Sequence, residues 1–503
     1  MKVATALAGL ILSAVGAARA AEIRSHQVDW KRDSSLLIDP AAMPKLPTPD
    51  AAKAASNAAG LNLSDIQGDI LIGMKKNTEF FLFFTITDVA KFKQKLKSSV
   101  LPMVTSTTQV LNTANPISTM LNIAFSQTGL SALKVAGGLN DPDFSAGQLA
   151  NAVALGDPGS DNWVSAFKST SIHGVILLAS DTTDNLQSTV ASVRRALAGT
   201  INEAYSLNAA ARPGSMQGHE HFGYLDGISN PAVQGFQSPL PGQAVIPPGE
   251  ILVGETGDDV QRPAWAKDGS FLVFRQLKQL VPEFNKFLSD NPITTVPGLT
   301  KQQGSDLLGA RMMGRWKSGA PVFLAPTQDN PQLGADPHRN NDFTYAAPGQ
   351  TVSDSTDQSK CPFAAHIRKT RPRADLGLPE SKSNSHHIVR GGIPYGPEVS
   401  QAEASSHTTK TERGLAFVAY QANIGNGFSF LQRFWADNSA FLHQNTGFDP
   451  IVGENGGSPR AVFGLDPKNS TKATTLPMDF VVSRGGEYFF SPSISAIRNT
   501  LSA

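Results

Sequence analysis

An α+β fold built from two similar halves is what the sequence predicts, and three observations predict it. Apolar, β-prone runs recur at EFFLFFTI (79–86), HGVILLAS (173–180), FLVFRQLKQ (271–279) and GLAFVAYQA (414–422). Segments of helical spacing follow them. A length of 503 residues, 40% of them hydrophobic and 17% charged, supplies one large core or more than one. Short uninterrupted apolar runs read as strands buried on both faces, which calls for helices packed over the sheet.

In chain order, IQGDILIGM (66–74) opens the organised region and EFFLFFTI follows as a strand. DVAKFKQKL (88–96) has helical spacing, and LNIAFSQTGLSAL (121–133) reads as strand, turn and helix start. After HGVILLAS, the segment TTDNLQSTVASVRRAL (182–197) predicts an amphipathic helix with Thr182 or Thr183 as N-cap. The second half repeats this grammar: FLVFRQLKQ leads into the helical PEFNKFLSD (282–290), GLAFVAYQA into NGFSFLQRFWADN (426–438), and GGEYFFSPS (485–493) closes the chain. Gly and Pro accumulate over 210–240, which places a boundary between modules 62–215 and 216–503 and a ligand pocket near it.

The start of the chain reads as a targeting segment. Met1-Lys2, an apolar stretch too short to span a bilayer, and Ala18-Arg19-Ala20 form a signal peptide over 1–20 and imply secretion. Residues 21–61 lack a strand pattern, carry a possible processing pair at Lys31-Arg32, and are expected to be a pro-segment or loose arm. A formal charge of +1 without basic runs gives no reason to expect nucleic acid or a membrane surface as partner. The single cysteine, Cys361, excludes an internal disulfide and, among apolar neighbours, reads as a buried inert thiol. Asn62-Leu63-Ser64 and Asn469-Ser470-Thr471 are glycosylation sequons.

The boundary region holds GHEHFGYLDGISNP (218–231), with two histidines, a glutamate and an aspartate within eight residues. Two readings stay open on these residues alone. His219 and His221 could belong to a metal site, which would need further ligands. Alternatively Asp226-Gly227 is a turn that Asp226 merely caps.

Wider context adds a third reading. GYLDG, IQGDILIGM, GARMMGRWKSGAP (309–321), CPFAAHIRKTRPR (361–373), IPYGPE (393–398) and GGEYFFSPSIS together resemble the dye-decolorizing peroxidases, a haem peroxidase family. The resemblance covers residues 62–503 and is closest to the large secreted fungal branch. It implies a pair of ferredoxin-like α+β modules (antiparallel sheets with peripheral helices), with one haem b per chain between them and the C-terminal module carrying most of the site. It also implies a monomer or homodimer in which hydrogen peroxide oxidises dyes, phenolics, lignin-related aromatics and carotenoids by one-electron steps through an oxo-ferryl state.

Carried over residue by residue, His366 is the implied proximal iron ligand, and a neutral imidazole suits that place. Asp449 in FDPIVG stands where close relatives place a glutamate as the imidazole's carboxylate partner. Asp226 is the implied acid–base catalyst, because one carboxylate can take a proton from one peroxide oxygen and return it to the other. With a reference pKa of about 3.9 it stays ionised at acidic pH where a histidine base (about 6.5) is protonated. Arg390 is the implied distal cation, Leu415 and Phe417 line a dry distal face, and Arg373 is expected to pair a haem propionate. Trp435 and Tyr395 are expected as surface radical sites. Two rival functions remain on sequence: a haem-handling protein with incidental turnover, and a non-haem metal hydrolase built on HEH.

Overall fold

The computed structural model describes residues 49–74, 77–350, 354, 356–377 and 385–503. The signal peptide and Lys31-Arg32 lie outside the described residues. Within the expected pro-segment or loose arm of 21–61, helix Pro49–Ala59 puts Ala52 into the core, and Leu61 and Leu63 follow it there.

Thirteen strands are described. The N-terminal half contributes β1 (Thr78–Ile86), β2 (Thr119–Phe125), β3 (Gly174–Ser180) and β4 (Ile201–Ala210). After the short pair β5 (Ala232–Val233) and β6 (Val245–Ile246) come β7 (Ser270–Gln279), β8 (Val389–Arg390), β9 (Ile393–Tyr395) and β10 (Gly414–Gln421). The ribbon β11 (Arg460–Val462) and β12 (Thr474–Leu476) precedes β13 (Val481–Ser491). The large sheet runs β7-β13-β2-β3-β1-β4-β9-β10-β8, and β10 also pairs with β7, so the sheet closes on itself as a barrel. The α+β class holds, and the strands of both modules share one continuous sheet.

The apolar runs are buried on both faces, as their composition requires. Phe81 and Phe83 belong to one core cluster, while Phe80, Leu82 and Phe84 belong to another shared with helix residues Leu186, Val190, Val193 and Leu197. That helix, Thr183–Leu197, is capped by Thr182, whose side chain accepts from Asn185 N at 3.3 Å.

The two seams between the modules are thin in ladder pairs and reinforced by side chains. β2 meets β13 at Phe125–Phe490, where buried Gln67 of IQGDILIGM accepts from Ile123 N at 2.9 Å and donates to Pro492 O at 2.7 Å. β4 meets β9 at Ala209–Tyr395, beside an Arg212–Glu398 ion pair at 2.6 Å.

Two elements escaped sequence reading. β4, INEAYSLNAA, exposes most of its outer residues and carries no apolar run. Helix Lys301–Met313 has a polar first half and is buried on every side from Leu307 to Met313, Arg311 included, so it lacks the one-sided pattern that reveals a surface helix.

At Gly414 a Cβ would lie 1.8 Å from Leu277 O on β7. Gly414→Ala is therefore expected to part β10 from β7 locally and destabilise the protein by about 3 kcal/mol, the cost of overpacking. Urea unfolding of the purified variant measures it.

Candidate functional site

The opening motif forms a tight loop held by its own glutamate. The Glu220 carboxylate accepts from Phe222 N and Tyr224 N, both at 2.8 Å, and from the Gln279 side chain. Asp226 N donates to Gly218 O at 3.0 Å, and Leu225 N to Lys317 O at 3.2 Å. Gly309 allows helix Lys301–Met313 to press on this loop, since a Cβ there would stand 2.3 Å from Tyr224 Oη. The chain then turns at Gly227, whose φ of +80° suits glycine, and Asp226 projects into a cavity.

The histidines of the motif serve structure. His221 Nε2 lies 2.9 Å from Tyr395 O, and burial pushes its pKa down to about 4. His219 Nδ1 lies 3.1 Å from Gln217 O. Among the described residues no group of three His, Cys, Asp or Glu could hold a metal ion, so the hydrolase reading finds no site.

The cavity encloses about 1950 Å³ of empty space, its open mouth included, and its lining residues all lie between Glu220 and Val481. The C-terminal module therefore supplies the walls. β7 and β10 form one of them: Leu277 is registered opposite Leu415, and Arg275 opposite Phe417. Leu415 and Phe417 thus both line the cavity.

Asp226 and Arg390 meet there, with Asp226 Oδ1 accepting from Arg390 Nη1 at 2.7 Å and from Gly227 N at 2.6 Å. β8 fixes Arg390 through the register Arg390–Ala419 and through Asn230, which accepts from Arg390 N at 3.2 Å and donates to Arg390 O at 3.0 Å. Burial works to raise the Asp226 pKa, but the charge and hydrogen bond of Arg390, with Gly227 N, outweigh it and hold the carboxylate below its ordinary value.

His366 begins helix His366–Thr370 and also lines the cavity. Its Nδ1 lies 2.8 Å from Asp449 Oδ2, which leaves Nε2 as the nitrogen available to the cavity. The shorter aspartate reaches the imidazole after all. Asp449 is fully buried, and its Oδ1 accepts from Ile451 N at 2.8 Å and Val452 N at 3.0 Å. Burial opposes its charge, yet His366 and these N–H groups keep its pKa low. Conversely, burial lowers and Asp449 raises the His366 pKa, and Asp449 prevails.

Buried cations secure this helix to its surroundings. Lys369 donates to Asn438 O at 2.7 Å and Gly447 O at 2.6 Å, which bracket the segment leading to Asp449. Arg311 donates to the carbonyls of Gln358, Ser359, Lys360, Gly464 and Leu465, anchoring the chain just before CPFAAH. Neither role was legible in sequence, because an arginine or lysine by itself signals solvent rather than carbonyl clamping.

Three expectations need correction. Arg373 lines the cavity, but its guanidinium donates to the carbonyls of Gly242, Asn341 and Phe343 and to Asn341 Oδ1, and it stacks 4.1 Å from the Phe343 ring. It is spent on the protein, not poised for a propionate. Trp435 and Tyr395 are buried, at 5% and 4% exposure, so neither is a surface residue. Trp435 lines the cavity and stacks on Phe441 at 5.1 Å, whereas Tyr395 donates to Glu412 Oε1 at 3.2 Å away from the cavity lining. Cys361 is buried and its thiol is pushed up to about 11 by burial, in keeping with an inert role.

These residues fit an iron porphyrin: an oriented imidazole for the axial position, apolar walls for a flat ring, and a carboxylate–guanidinium pair in the same cavity. Comparison decides the family. Residues 65–213 match the DyP dimeric alpha+beta barrel domain and residues 218–446 the C-terminal domain of Dyp-type peroxidases. The chain belongs to the dye-decolorizing peroxidase family. Among its relatives in that family, peroxidase 2 of Mycetinis scorodonius is 58% identical over 95% of both chains. The crystal structure of a fungal DyP-type peroxidase from Auricularia auricula-judae superposes with a TM-score of 0.85 at 53% identity, covering 88% of this chain and 99% of that one. A dye-decolorizing peroxidase with an engineered heme pocket, also 53% identical, gives 0.84 over 88% of this chain and 100% of that one. Dye-decolorizing peroxidases are haem enzymes, and this chain is accordingly a peroxidase.

Asp449→Ala removes a buried acceptor from two N–H groups and from His366. Its expected cost is on the order of 3 kcal/mol in urea unfolding at neutral pH, with Asp449→Asn costing less. Because the folded pKa of Asp449 is depressed, its contribution is complete above about pH 4 and fades as pH falls. The gap between wild type and variant should therefore narrow in acid.

Proposed function

We propose that this dye-decolorizing peroxidase is a secreted enzyme that uses hydrogen peroxide to oxidise bulky aromatic molecules, dyes and phenolics among them, in one-electron steps. The observation that carries the reading is one cavity lined by both a carboxylate-oriented imidazole, His366, and an Asp226–Arg390 pair. Secretion is supported by the leader at 1–20, and no helix among the described residues is long and apolar enough to cross a membrane. Asn469 of the second sequon is exposed, with its Oδ1 accepting from Thr471 Oγ1 at 2.9 Å, which supports a glycan there.

His366 would hold haem b through Nε2, and the Asp449 carboxylate on Nδ1 makes that nitrogen a stronger donor. Bound haem iron supplies the two-electron reduction of peroxide. Asp226 would supply proton transfer: its carboxylate would take a proton from one peroxide oxygen and return it to the other, which leaves as water. Arg390 keeps the carboxylate ionised and offers N–H groups to the negative charge that develops as the oxygens part. Leu415 and Phe417 exclude water from this exchange, which strengthens each of these charge interactions.

Asp226→Asn should retain the haem absorption spectrum and slow the stopped-flow reaction with peroxide by about 10²- to 10⁴-fold. An unchanged rate would identify a haem-handling protein with incidental turnover.

The pH profile has a defined sign. A base works above its pKa, so the depressed value of Asp226 puts the acid limb below about pH 4. Arg390→Leu leaves burial unopposed by that cation and should move the limb to higher pH, read from peroxide-reaction rates across acidic buffers.

A further inference from the structure

The chemistry above uses one carboxylate of the cavity, yet the wall holds another carboxyl with no task. Glu454 lines the cavity five residues beyond Asp449 and is 8% exposed. Arg275 of β7 lines the same cavity and is 4% exposed. Among the described residues no hydrogen bond reaches the Glu454 carboxyl; the groups it feels are the charges of Asp157, Arg275, Arg460 and Asp437. Gly156 closes the space behind it, since a Cβ there would stand 2.6 Å from Glu454 Cβ.

The surrounding cations are already matched. Arg275 Nη2 donates to Asp157 Oδ1 at 2.5 Å and to Ser483 Oγ at 2.6 Å, and Arg460 pairs with Asp479. Arg275 keeps Nε and Nη1 buried without an acceptor, and Asp437 keeps Oδ2 without a donor. Glu454 and Asp437 are thus two carboxyls in excess of cations, with Glu454 N donating to Asp437 Oδ1 at 2.7 Å. Burial accordingly pushes Glu454 up to about 8 and Asp437 to about 7. Asp226 differs because it has Arg390 as a direct partner.

We propose that Glu454, flanked by Arg275, is a second proton-exchange site of the cavity, taking up one proton from solvent when one electron enters and releasing it when that electron leaves. The inference rests on the reading that the cavity holds haem. The electron comes from an external low-potential one-electron reductant, which is thereby oxidised; added negative charge in a low-dielectric cavity strengthens a nearby carboxyl's hold on its proton. One electron and one proton arrive together, so the net charge of the cavity stays constant.

Spectroelectrochemical titration of the haem-loaded enzyme from neutral to alkaline pH tests this, because Glu454 can take up a proton on reduction only where it is ionised beforehand, and burial delays that ionisation to about pH 8. Above that pH the ferric–ferrous potential is expected to fall by about 59 mV per unit, the one-electron equivalent of a tenfold change in proton activity. Glu454→Gln should flatten that slope, and Asp226→Asn should leave it. A flat wild-type profile, or a slope that survives Glu454→Gln, overturns the proposal. Redox-difference infrared spectra of the wild type offer a check that needs no variant: a protonated-carboxyl C=O band should change between the two states, and its absence overturns the proposal equally. A purified protein lacking the haem absorption band would sink the haem reading itself; an intact band with a flat potential sinks only the role of Glu454.

Discussion

The pairing of β10 with β7 closes the sheet, and the cavity depends on that closure. From Gly414 to Gln421 every residue of β10 has a partner on β7, while its other edge is shared by β8 and β9. One face of this pair presents Leu415, Phe417, Arg275 and Leu277 to the cavity, and β8 carries Arg390 to its rim. Without closure these side chains would have no fixed relation to the loop bearing Asp226. A sheet that closes also leaves no long free edge, which a chain rich in buried strands would otherwise expose.

Around this frame, buried charge is used chiefly to hold backbone. Glu220 and Asp449 spend their oxygens on N–H groups of the loops they organise, and Arg311, Lys369 and Arg373 spend their donors on carbonyls. Such contacts are strong because they are charge-assisted and shielded from solvent. They do the work that disulfides perform in many other proteins, which a single cysteine cannot do here. Asp226, Arg390 and Glu454 stand apart from this pattern because they turn toward the cavity.

On sequence alone GHEHFGYLDGISNP left a metal-binding and a structural reading open, and the fold assigned each residue a neighbour. Glu220 proved to be the clamp, the two histidines its supports, and Asp226 the group that reaches the cavity. Local sequence could show that the loop was polar and turned; it could not show which side chains faced inward, since that depends on Gln279, Lys317 and Tyr395 from distant segments.

By itself the sequence determined the α+β class, the doubly buried strands and a cap at Thr182 or Thr183, and its motifs put forward His366, Asp226 and Arg390 as candidates, because apolar periodicity and short motifs are local properties. Tertiary structure alone decided that the two modules share one closed sheet, and that Asp449 is long enough to meet His366. It also decided that Arg373 turns inward, that Trp435 and Tyr395 are buried, and that Glu454 and Arg275 face the cavity. Each of these is a relation between residues far apart in the chain, and burial and partnership arise only when such segments are brought together.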